Sequence, residues 1–163
     1  MTNSRSTSPN APTPHRQTRR WRCPRCGRLF AKKNQAHSCL ARPVEAHLSR
    51  GSPVVRDLYR RLIIALRSFG PLRLDAVKSS INLVSTYHFG SIAVRKDHLR
   101  LGFISARPIA HPRITRSQAL GPNRYHHSLI LRSPNDLDSE LVGWLREAQE
   151  LQSRNPNART VAA

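Results

Sequence analysis

The sequence predicts an α+β domain: a small, mostly antiparallel sheet of about four strands with helices packed on it. A short zinc-binding module and a disordered basic N-terminal arm precede it. Three observations carry this reading. Two long stretches place apolar residues at three- and four-residue steps, which gives a helix one buried face. Between them lie short alternating stretches joined by tight links, which favour antiparallel pairing. All three cysteines fall near the start of the chain, at the spacing of metal ligands.

Residues 1–20 are basic and rich in Ser, Thr and Pro, with no periodic apolar pattern, and read as a disordered arm. Residues 21–41 form the cysteine module, residues 43–154 the packed domain, and residues 155–163 a loose tail. Within the domain, "PVEAHLSRG" reads as a short helix closed by Gly51. "SPVVRDLYRRLIIALRSFG" is a longer one, with Ser52 as N-cap, Pro53 at the first helical position, and Gly70-Pro71 as the stop. Its apolar face is Val55, Leu58, Leu62, Leu66 and Phe69. "LRLDAVKS" and "SINLVS" read as strand-like, with Lys78 in the first of them. "SIAVRKDHLRLGFIS" reads as a hairpin turning at Lys96-Asp97, and "HHSLILR" as the last strand. "IAHPRITRSQALGPNRY" reads as a loop. In "SPNDLDSELVGWLREAQELQSR", Ser133 is the expected cap and Asp136 occupies the capping-box position of the final helix. Leu137, Leu141, Trp144, Leu145, Ala148 and Leu151 line its apolar face.

Charge narrows the partners. The chain carries 28 Lys+Arg against 9 Asp+Glu, a formal +19. From Arg5 to Arg42 there are ten cations and no acid. Such a balance attracts polyanions, nucleic acid first among them. No apolar run is long enough for a membrane span, and the N-terminus lacks the apolar core of a secretory signal. The expected compartment is therefore the cytoplasm, where thiols stay reduced and cysteines favour metal over disulfide.

The cysteine motif runs Cys23-x2-Cys26, ten residues, then His37-x-Cys39. Two thiolates across a Cys-x2-Cys turn can meet one ion, and Gly27 suits the tight turn after them. His37 and Cys39 complete four ligands, the number that fills a tetrahedral zinc ion and leaves no position for water or substrate. The expected cofactor is a structural Zn2+. It would present Arg22, Arg25, Arg28, Lys32 and Lys33 on a rigid base fit to grip phosphates.

The ordered set "CPRCGRLFAKKNQAHSC", "VEAHL…PVVRDLYRRL", "VKSSINLV", "LRLGFI", "HPRITR" and "HHSLILRSPNDLDSELVGWLREA" resembles the bacterial domain-of-unknown-function family DUF5655, in its form with an N-terminal cysteine motif. The resemblance spans about Trp21 to Gln152 and implies a small YdhG-like α+β fold, some relatives of which are described as iron carriers. It implies no settled activity. It singles out Lys78, Arg113 and His126, which would bind a small anionic ligand if they share a pocket. "STYHFG", from Ser85 to Gly90, departs from the family pattern.

The sequence holds no phosphate-cradling glycine loop, no nucleophile elbow and no H-E-x-x-H motif, and suggests no paired carboxylates. The expectation is a non-catalytic zinc protein that binds nucleic acid through its basic front. The alternatives are a small-ligand or metal-carrier domain and an enzyme of unrecognised type.

Overall fold

In a computed structural model, residues 21–30, 33, 34, 37, 39 and 43–154 are described. The expectations for the arm at 1–20, for Lys32 and for the tail at 155–163 lie outside the described residues. The chain divides into two units, Met1–Cys39 and Leu40–Ala163. In the first, two short strands, β1 (Trp21–Arg22) and β2 (Leu29–Phe30), pair antiparallel with Trp21 opposite Phe30.

The second unit opens with α1 (Val44–Leu48) and then α2 (Pro53–Ser68). Ser52 caps α2 as its type dictates: its hydroxyl oxygen accepts the backbone N–H of Val55 at 3.4 Å. Val55, Leu58, Tyr59, Leu62, Ile63 and Leu66 form its buried stripe. Each full burial of such a side chain contributes about 1.5–3 kcal/mol, so packing more than propensity holds this helix.

Six strands follow: β3 (Arg73–Ala76), β4 (Ile81–Val84), β5 (His88–Val94), β6 (Leu99–Ser105), β7 (Ile114–Gly121) and β8 (Arg124–Leu131). They form one antiparallel sheet in the order β3-β4-β5-β6-β8-β7. The sheet thus has six strands where about four were expected. β7 occupies the stretch read as a loop. It is an edge strand whose residues after Ile114 and Thr115 are all exposed, so no apolar alternation marks it. Backbone pairing to β8 holds it, through a turn at Pro122 and Asn123 in which Asn123 takes φ 52°. Lys78 also moves: it lies in the turn between β3 and β4, which the bond from the Val77 N–H to the Ser80 carbonyl closes at 2.8 Å.

The last helix, α3 (Ser139–Ser153), starts later than its capping signal suggests. Pro134–Asp136 form a separate 3-10 turn. Asp136 accepts the backbone N–H groups of Arg132 and Ser133 at 2.6 and 2.9 Å. Asp138 is the cap of α3 itself, accepting the Leu141 N–H at 2.9 Å. Two neighbouring acids thus each satisfy different orphan donors.

Strand register builds the core. Ile81, Ile92, Leu101 and Leu129 stand in one row across β4, β5, β6 and β8, all without solvent exposure. Leu141, Trp144, Leu145 and Ala148 of α3 join the same cluster as the α2 stripe, so both helices cover this face. Phe103 stacks on Trp144 with ring centres 6.1 Å apart. A bulge in β5 shifts the pairing, with Leu83 opposite Gly90 but Val84 opposite His88. Phe89 is thereby buried in the core while His88 turns to the far face of the sheet. This bulge sits inside "STYHFG", the stretch that departs from the family pattern.

Two glycines on this sheet differ in what they tolerate. A β-carbon on Gly90 would lie 2.6 Å from the Gly102 carbonyl oxygen and 3.3 Å from Leu83, so backbone must shift. On Gly102 it would lie 2.8 Å from Nε2 at the tip of His126, which can swing away. Gly90→Ala should cost about 1–3 kcal/mol and Gly102→Ala about 1 kcal/mol or less, read from urea unfolding midpoints.

His127 is fully buried beside Phe103. The Ser105 hydroxyl donates to the Arg107 carbonyl at 2.5 Å, so its oxygen accepts from His127 Nε2 at 3.0 Å. Nδ1 is left without a partner among the described residues. Burial holds the ring below the ordinary histidine value of 6.5, with the Arg107 carbonyl opposing the shift. The unfolded chain therefore binds a proton first as pH falls. Stability is fully present above about pH 6.5 and declines below it, towards the folded-state value. Unfolding free energies measured across that range should fall with acid, and His127→Gln should flatten the decline.

Candidate metal centre

The described residues of the first unit bury little, and a knuckle sets their geometry. The Cys23 carbonyl accepts the Gly27 N–H at 2.8 Å, and the Cys23 N–H donates to the Arg28 carbonyl at 2.9 Å. Gly27 takes φ 69°, a left-handed conformation that a side chain would resist. Arg22 braces the turn from outside, donating to the Gly27 carbonyl at 3.0 Å. The result aims both thiols of the Cys-x2-Cys pair the same way.

His37 and Cys39 meet them. The four ligand atoms of Cys23, Cys26, His37 and Cys39 all lie within 4.8 Å of one another. Cys23 Sγ is 3.7 Å from Cys39 Sγ, and His37 Nε2 is 3.4 Å from Cys26 Sγ and 3.3 Å from Cys39 Sγ. This Cys3His group can hold one metal ion. Among the described residues it is the one cluster of three or more His, Cys, Asp or Glu side chains placed to do so. The Arg28 backbone N–H holds the Cys26 thiol down to about 6, so this sulfur is ready to ligate near neutral pH. Cys23 is buried, and burial pushes the Cys39 thiol up.

Aromatic rings close the module. The His37 ring lies 4.1 Å from Phe30 and 6.0 Å from Trp21, centre to centre. A shallow depression of about 310 Å³ opens beside the cluster, with Trp21, Pro24, Arg25 and Asn34 in its lining. Asn34 went unnoticed in the sequence. Its φ of 56° is a conformation that asparagine tolerates better than most residues, and that was the available signal. Of the expected phosphate contacts, Arg22, Arg25 and Lys33 are exposed and Arg28 is half-buried.

The second ligand set, Lys78, Arg113 and His126, is not brought together. Arg113 is committed to the start of α3, donating to the Asp138 carboxylate at 2.5 Å and to the Asp136 carbonyl. His111 clamps the same place, its Nδ1 accepting the Arg113 N–H at 3.2 Å and its Nε2 3.2 Å from Glu140. His126 lies on the sheet face away from the helices, alternating with the buried His127 as expected. Lys78 sits in a turn at the other end of the sheet. Three strand spacings, about 14 Å, separate β4 from β8.

If the Cys3His group holds a metal ion, removing it should unfold the first unit and spare the second. A strong chelator added to the full chain should abolish the near-ultraviolet circular dichroism of Trp21 and Phe30. The thermal transition of the sheet domain should remain, as its core contains none of the four ligands.

No curated protein and no solved structure matches this chain. A family model described as "Domain of unknown function (DUF5655)" matches residues 44–152, which take in α2, all but the last residue of α3 and all six strands of the large sheet. With that match over most of its length, the chain is a member of the DUF5655 family.

Proposed function

We propose that this protein is a non-catalytic nucleic-acid-binding protein whose Cys3His group carries a structural zinc ion. The observation that supports it best is the shape of the ligand set. A tetrahedral zinc ion with bonds of about 2.3 Å to sulfur and about 2.0–2.1 Å to nitrogen requires edges of about 3.8 Å between sulfurs and about 3.6 Å from sulfur to nitrogen. Three of the six pairs of ligand atoms here stand at 3.7, 3.4 and 3.3 Å, and all six lie within 4.8 Å. Three thiolates and one imidazole are also the donor chemistry zinc prefers. With four protein ligands the ion has no position for substrate, so it shapes the chain and does no chemistry.

What it shapes is a cationic surface. Arg22, Arg25 and Lys33 are exposed around the knuckle, and no acid precedes Glu45. Cations of this kind bind phosphates without reading sequence, with affinity set by counterion release.

Fluorescence anisotropy with a labelled duplex over a salt series tests this. Binding should tighten steeply as salt falls, and Arg25→Gln with Lys33→Gln should lower the slope of log K against log salt by up to about 1.8. Chelation should weaken binding as well. A protein that shows no affinity for DNA or RNA at low salt is not a nucleic-acid-binding protein.

A further inference from the structure

The sheet domain has a face that no described helix of its unit covers. Pairing and alternation define it: Arg73 and Asp75 on β3, Asn82 and Val84 on β4, His88, Ser91 and Ala93 on β5. Arg100, Gly102 and Ile104 follow on β6, then Arg124, His126, Ser128 and Ile130 on β8, and Arg116 and Gln118 on β7. Ile104 and Val84 are buried, so the face presents polar and cationic groups and no apolar patch.

The charges across this domain are segregated. Asp75 is the one acid on the open face, and Arg73 neutralises it through two bonds of 3.0 Å. The other acids lie on helices, turns or the Lys96-Asp97 hairpin, where six of them are engaged. Asp57 pairs with Arg61, Asp97 with Arg132, Asp138 with Arg113, Glu140 with His111 and Glu147 with Arg107, and Asp136 accepts backbone N–H groups. None of these partners is an arginine of the open face. Arg100, Arg116 and Arg124 are exposed there, and no described carboxylate pairs with them; Arg116 touches Gln118 at 3.4 Å. Arg124 lies near enough to His88, and Arg116 to His126, to help hold both rings below the usual histidine range, an effect that burial leads.

Spacing decides what such a face fits. Arg100 is opposite Ile130, six residues along β8 from Arg124, a run of about 20 Å. Arg116, opposite Ser128, falls between them on β7. A stripe of this length outspans a small anion. It matches about six base pairs of duplex, at about 3.4 Å per pair. Asn82, Ser91, Ser128 and Gln118 add neutral donors of the kind that hydrogen-bond phosphate oxygens. The only rings among these residues are the imidazoles of His88 and His126, and no Phe, Tyr or Trp stands there to stack on an unpaired base, which favours the backbone of a duplex over a single strand.

We propose that the open face of the six-stranded sheet is a second nucleic-acid surface, on which Arg100, Arg116 and Arg124 contact the phosphates of a duplex. This inference rests on the nucleic-acid reading above and adds a surface that the zinc module does not supply.

The test uses the full metal-loaded chain and a duplex of about 20 base pairs in a salt series. Replacing the three arginines by glutamine should lower the slope of log K against log salt by up to about 2.7 and weaken binding at least about tenfold. Replacing all three by lysine should restore most of both, since the charge is what counts. An unchanged affinity for the glutamine variant, with Arg25→Gln and Lys33→Gln still weakening binding, overturns the sheet surface and leaves the zinc-module reading standing. No low-salt binding by the parent protein overturns both. Failure of the lysine variant to restore binding, or equal competition by a polyglutamate peptide of matched charge, also overturns the proposal.

Discussion

Three thiols and an imidazole converging on one point are the constraint on which the front of this molecule depends. Among its described residues the first unit has no apolar core able to fold it. Trp21, Phe30 and His37 touch, yet none of them is fully buried, and of its described residues Cys23 alone is. Segments this small cannot offset the entropy of ordering their backbone by burial alone. A metal ion held by these four ligands would supply what burial does not, since binding and folding would then be one event. The knuckle hydrogen bonds, the left-handed Gly27 and the brace from Arg22 fix where the ligands point.

The sheet domain is held by the opposite means. Its stability comes from a continuous apolar cluster joining both long helices to four central strands. Its carboxylates serve as caps and local ion pairs: Asp138 caps α3 and binds Arg113, and Glu140 meets His111. Exposed pairs of this kind contribute little each. Their consequence is electrostatic: acids spent on the helical side leave the arginines of the open sheet face unbalanced. The same economy explains why Arg113 serves the fold and is not joined to Lys78 and His126.

Legibility in the sequence followed the physics of each element. Buried faces are periodic, so α2, the hairpin of β5 and β6, and the alternation of His126 with His127 could be read directly. The ligand set could be read because cysteine spacing is restrictive and no cysteine falls outside it. β7 could not, because its residues after Ile114 and Thr115 are all exposed and backbone pairing leaves no mark on side-chain pattern. The sequence puts the start of α3 too early because Asp136 and Asp138 both carry capping chemistry, and only tertiary geometry assigns the helix to Asp138. The open basic face was hidden for a different reason. Its arginines come from three strands, and only the order β6-β8-β7, which is not chain order, sets them side by side.

X-ray absorption at the zinc edge of the purified protein tests the central claim most directly. The account predicts one zinc per chain, with a first shell of three sulfurs at about 2.3 Å and one nitrogen at about 2.0–2.1 Å. A shell of oxygen and nitrogen alone, or protein free of metal with two of the cysteines joined as a disulfide, would contradict it.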